Sequence, residues 1–177
     1  MGIAIKMMWT HHAYLRKLII NWFQRSQGEL VDEFNIFDKF VSLWISFNAW
    51  GTYQSQKDTD RQMIKWTKSN EALKERFGEL LTNDSDFIQD ISDLKNMCPI
   101  RRHKPYRGSH EVNITSINNF NEVLEAIYVM RCNLLHGFKD PEDIRNQTLI
   151  RLAFQILSKL FSEIVNGLSS SNWNGSS

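Results

Sequence analysis

Apolar residues recur along this chain at spacings of three and four, separated by short polar breaks, the pattern of successive amphipathic helices. Residues 3–25 are predicted to form a first helix, with Trp9, Leu15, Leu18, Ile19, Trp22 and Phe23 apolar and Ser26-Gln27-Gly28 as its stop. Residues 29–54 give the strongest pattern. Leu30, Phe34, Phe37, Val41, Trp44, Ile45 and Asn48 run along one face, and Phe40, Phe47 and Trp50 widen it. Aromatic rings at helical spacing carry large buried area and read as core. Asn48 breaks the stripe, and a buried amide needs partners: it is a candidate to orient a guanidinium or a bound phosphate, and equally a structural buried Asn.

A polar break at 56–61 offers Asp58 or Thr59 as N-cap of a helix to about Lys68, built on Met63, Ile64, Trp66 and Thr67. Another runs from Asn70 to about Leu81. Asn83-Asp84-Ser85 caps a short one through Phe87, Ile88, Ile91 and Leu94, whose Asp84, Asp86, Asp90 and Asp93 read as a solvated acidic face. Thr115-Ser116 offers the N-cap of a helix carrying Ile117, Phe120, Leu124, Ile127 and Leu134. After a turn at Asp140-Pro141-Glu142-Asp143, the last helix shows Leu149, Leu152, Ile156, Leu160 and Ile164 and should pack against the one before it. The expected architecture is an all-α, up-and-down bundle with extra short helices. Residues 1–28 form an N-terminal helical arm, 29–168 the helical domain, and 169–177 a disordered tail rich in Ser, Asn and Gly.

One residue departs from its own pattern. Arg131 lies in the middle of the apolar stripe of EVLEAIYVMRCNLLHGFK (122–139), four after Ile127 and three before Leu134. A guanidinium there costs free energy unless it is paired, reaches water or faces another chain. His136 is five residues on, about 140° away on a regular helix. Either Gly137 ends the helix and lets His136 swing in the last turn, or two copies of the helix face each other across a two-fold axis and pool their side chains. The second arrangement also gives Arg131 a reason to sit on an apolar face.

The string Arg131-Cys132-Asn133-Leu134-Leu135-His136-Gly137, with Lys139 two after the Gly, resembles the Arg-x4-His motif of the HEPN superfamily, in its stand-alone defence or toxin-like branch. The aromatic helix around Phe40–Ala49 and the apolar last helix extend the resemblance over roughly residues 30–165. It implies a HEPN-like helical bundle and a homodimer whose composite cleft carries Arg131 and His136. It also implies a metal-independent endoribonuclease that leaves 2′,3′-cyclic phosphate ends. That chemistry suits the residues: histidine moves protons near neutral pH, and arginine clamps phosphoryl oxygens. Asn133 is the candidate to position the phosphate or attacking hydroxyl, and Lys139 to add charge at the cleft's edge. Two positions depart from the family: Cys132 stands where many active relatives carry a polar residue, and Phe138 where antitoxin-modified toxins carry Tyr. The alternative is a non-catalytic module for dimerisation, RNA binding or nucleotide binding in a defence or regulatory complex.

Residues 98–110, CPIRRHKPYRGSH, are the strongest compositional shift. Arg101, Arg102, Lys104 and Arg107 surround Tyr106, and Pro99, Pro105 and Gly108 argue against regular structure. Clustered cations with an interleaved aromatic suit single-stranded RNA; standing alone, the segment would read as an exposed charged loop. A net charge of +1 excludes a polyanion-coating protein but not such a local patch. Cys98 and Cys132 are too few for a disulfide framework, which fits a reducing cytoplasm. No apolar run reaches membrane-span length, mean hydropathy is −0.40, and Met1 to Trp9 is too short an apolar run for a secretory signal. His11 and His12 diverge by about 100° on a helix and do not suit one ion. No metal or other cofactor is expected. The expected partners are RNA, a second copy of the chain, and an antitoxin or defence-system protein.

Overall fold

The structure, a computed structural model, describes residues 2–28, 35–102, 110–135 and 142–170, with side chains from residue 13 onward. Helix α1 (Gly2–Ser26) is followed by α2 (Asn35–Ser55), α3 (Asp60–Thr67), α4 (Glu71–Asn83) and α5 (Ser85–Asn96). Strands β1 (Ile100–Arg102) and β2 (His110–Val112) come next, then α6 (Phe120–Leu135) and α7 (Ile144–Ser170). The polar breaks work as caps. Thr59, Asn70 and Asp84 each accept a hydrogen bond from the backbone N–H three residues on, satisfying a donor that the first helical turn leaves free. Asp143 does the same for Asn146 at 2.9 Å.

The core is aromatic because α2 is. Phe161 of α7 meets Phe47 edge-on at 5.5 Å, Phe23 of α1 at 5.9 Å and Trp50 at 5.6 Å, so one ring joins three helices. Trp50 continues to Trp66 of α3 at 5.7 Å. Buried Ser46 donates to the Ile19 carbonyl at 2.7 Å, fixing α1 on α2. Gly51 lets α3 approach α2: a Cβ there would lie 2.6 Å from the Met63 sulfur. Helix α7 does meet α6, as its pattern predicts, but it packs more extensively on α2 and α5.

Three expectations are corrected. Residues 98–110 are not wholly irregular: β1 and β2 pair antiparallel with Ile100 opposite Val112, Arg101 opposite Glu111 and Arg102 opposite His110. Ile100 and Val112 are buried against α6, and Pro99 falls just outside the ladder, where a missing N–H does no harm. The α6 N-cap is Asn119, whose side chain accepts from Glu122 N–H at 3.2 Å; Thr115 instead holds the Glu122 carboxylate. Finally, α6 is not buried along one stripe. From Val123 to Met130 every residue is buried, so α6 is the central helix of the domain.

Candidate functional site

Centrality makes the charged residues of α6 informative. Glu125, Tyr128 and Arg131 are spaced by three and meet α3, whose first two residues are Asp60 and Arg61. The Glu125 carboxylate lies between Arg61 Nη1 and Lys68 Nζ, one cation on each oxygen. Burial pushes this carboxyl up, but hydrogen bonds from Lys68 and Arg61 outweigh it and hold the group below its ordinary value. Arg61 also stands 5.5 Å from the centre of the Tyr128 ring.

One α6 turn beyond Tyr128, Arg131 has its own partner on α3. Its Nη2 donates to Asp60 Oδ2 at 2.6 Å, and its guanidinium lies 5.3 Å from the centre of the Trp44 ring. An ion pair and a cation–π contact within one chain thus answer the cost of a cation on an apolar stripe, without a second copy. The side chain remains 18% exposed. It lines a cleft of about 670 Å³ between α1, α2, the link from α2 to α3 and the last turn of α6. Leu15, Phe40, Trp44, Ile45 and Leu134 make its walls, and Tyr53, Gln56, Lys57 and Asp58 edge it. Gln56 ends α2 at a φ of 53°, the left-handed region, which turns the chain along this rim.

Four buried side-chain nitrogen or oxygen atoms among the described residues lack a hydrogen-bond partner, and three belong to this cleft: Trp44 Nε1, Asn48 Oδ1 and Arg131 Nε. Each such atom costs about 1–3 kcal/mol. Their convergence marks the cleft as the place where the fold is left incomplete.

The remaining candidates fall in two groups. Asn133 is 1% exposed, and its Nδ2 donates to the Arg101 carbonyl at 2.7 Å, tying β1 to the end of α6. The Arg101 side chain is paired across the hairpin with Glu111 at 2.7 Å. The structure therefore brings Arg131 and Asn48 into one cleft, and Asn133 and Arg101 together at the hairpin root. His136, Lys139, Lys104, Tyr106 and Arg107 lie outside the described residues, as do the side chains of Arg102, His11 and His12.

Asp60 and the stacking role of Trp44 escaped the sequence. Asp60 is 71 positions from Arg131, with no local signal beyond its place in a first helical turn. Among the described residues no three His, Cys, Asp or Glu side chains are grouped to hold a metal ion, and no helix is long and apolar enough to cross a membrane. Compared with protein-family models, curated proteins and solved structures, the chain matches none.

Proposed function

We propose that this chain is a metal-independent endoribonuclease of the HEPN type, acting as a homodimer in which each copy contributes Arg131 and His136. The observation that carries the reading is the placement of Arg131: at the C-terminal end of the central helix, held by Asp60 and Trp44, on the wall of a cleft. A prealigned guanidinium suits a phosphorane, whose extra charge appears only in the transition state. In the reaction the RNA 2′-oxygen attacks phosphorus as one His136 takes its proton. The bond from phosphorus to the 5′-oxygen breaks, and the partner subunit's His136 gives that oxygen a proton. A 2′,3′-cyclic phosphate and a 5′-hydroxyl remain. Arg131 stabilises the pentacoordinate oxygens, and the basic 101–107 segment, rooted beside α6 through the Asn133 bond, draws in the strand.

A second reading has its own observation. Asp60 already occupies one edge of the Arg131 guanidinium, which lowers its pull on a phosphate and suits a module that binds RNA without cutting it. Labelled single-stranded RNA and tRNA, incubated in EDTA with wild type, Arg131→Ala and His136→Ala, separate the two. Cyclic-phosphate ends made by wild type alone are expected. RNA retained without cleavage moves the assignment to the binding module, and neither cleavage nor binding removes both.

A further inference from the structure

We infer that the cleft beside Arg131 is a base-recognition pocket that takes a pyrimidine extruded from the RNA strand, with Asn48 and Trp44 reading its edge. The inference rests on the ribonuclease reading for the identity of the strand and on the cleft itself for the choice of base.

The cleft's volume, about 670 Å³, lies within the range of roughly 300–1,000 Å³ typical of ligand sites, and its walls are apolar and aromatic. Those walls alone would suit an acyl chain, but an acyl chain would leave all three orphaned atoms unsatisfied. A small carboxylate or a free phosphate is also a poor occupant, because Asp60 already counters the Arg131 charge. What the cleft lacks is neutral hydrogen bonding. Trp44 Nε1 and Arg131 Nε are donors without acceptors, and Asn48 Oδ1 is an acceptor without a donor. Trp44 is 3% exposed, so water does not readily reach its indole nitrogen.

Two donors and one acceptor call for a flat ring whose edge offers two acceptors and one donor. The pairing edge of uracil has two carbonyl oxygens around one N–H. That of cytosine has a carbonyl, a ring nitrogen and an amine. Guanine offers the reverse, one acceptor and two donors, and adenine has one of each. A site whose buried polar groups are met by one ligand and stranded by another discriminates strongly between them.

The test is anisotropy of 5′-labelled single-stranded hexamers of uridine, cytidine and mixed purines. All are 2′-O-methylated so that no strand can be cut, and backbone charge is equal throughout. Wild type is expected to bind a pyrimidine hexamer at least about tenfold tighter than the purine one, the scale of one well-made base contact. Asn48→Leu should erase the preference while keeping the weaker, salt-sensitive purine binding. Ala49→Leu, which narrows the same cleft from α2, gives the same result if Asn48→Leu does not fold. Equal binding of both classes by wild type overturns the inference, as does a preference that survives both variants. Cleavage failing while the preference holds counts against the ribonuclease reading alone; cleavage without preference counts against this one alone.

Discussion

Glu125 and Arg131 are two partly buried charges on one helix, six residues apart, both answered by α3, and they are answered differently. Each oxygen of Glu125 has its own cation, whereas Arg131 has one carboxylate, one ring and a buried Nε with nothing to bond. A charge whose hydrogen-bonding capacity is filled from within the chain has finished its work when the chain folds. One left with unmet capacity at a cleft still has a bond to make. The contrast predicts that α6 separates into a stabilising half and a reactive half.

The largest effect expected is on catalysis. Arg131→Ala should lower RNA cleavage by about 10²-fold or more, the usual scale for losing one transition-state donor, with a melting temperature close to wild type. Glu125→Gln should do the reverse. It should cost about 1–2 kcal/mol, because Arg61 and Lys68 lose their counter-charge but still reach water, and leave cleavage per folded molecule unchanged. Calorimetry with a cleavage assay on both variants decides the matter, and a fall in both properties in both variants would dissolve the contrast.

A smaller effect follows from acid. The Glu125 carboxyl is held below its ordinary 4.5, so the unfolded chain binds its proton more readily than the folded one. Its contribution to stability is complete above 4.5 and is lost as pH falls through the lower folded value. Urea midpoints measured below pH 4.5 should therefore fall less steeply in Glu125→Gln than in wild type. The smallest effect expected is from Asp60→Asn, which keeps an acceptor for Arg131 but removes the negative charge beside it. RNA affinity should rise about threefold and the logarithmic salt slope steepen by about 0.7, one further phosphate contact on a single strand. Filter binding at two salt concentrations reads both.

What the sequence disclosed follows how local each cause is. Thr59, Asn70 and Asp84 could be read as caps because a cap acts over three residues, and the α2 stripe because its spacing repeats. Arg131 stood out because it broke its own stripe, and Asn48 for the same reason. The hairpin did not show: three-residue strands are too short to establish a period, and the paired residues are separated by a segment rich in turn formers. Nor did the burial of α6 on all sides, since Glu125 and Asn133 look like solvent positions until Lys68, Arg61 and the Arg101 carbonyl are brought against them. Pairings over 57 to 71 residues leave no trace in local pattern. They are also what makes the site.

Helix α3 has eight residues, fewer than an isolated helix needs to persist in water, so its order is borrowed from Met63 and Ile64 in the core and from its contacts with α6. Asp60 sits in its first turn, the part of a helix that opens most readily. Each fraying of that turn withdraws the counter-ion from Arg131 and bares the full guanidinium to the cleft, then covers it again on closing. Arg131 is therefore better pictured by the fraction of time its charge is uncovered than by a single fixed value. That fraction is set on the far side of the cleft wall, by the hold of Thr59 on the Gln62 N–H.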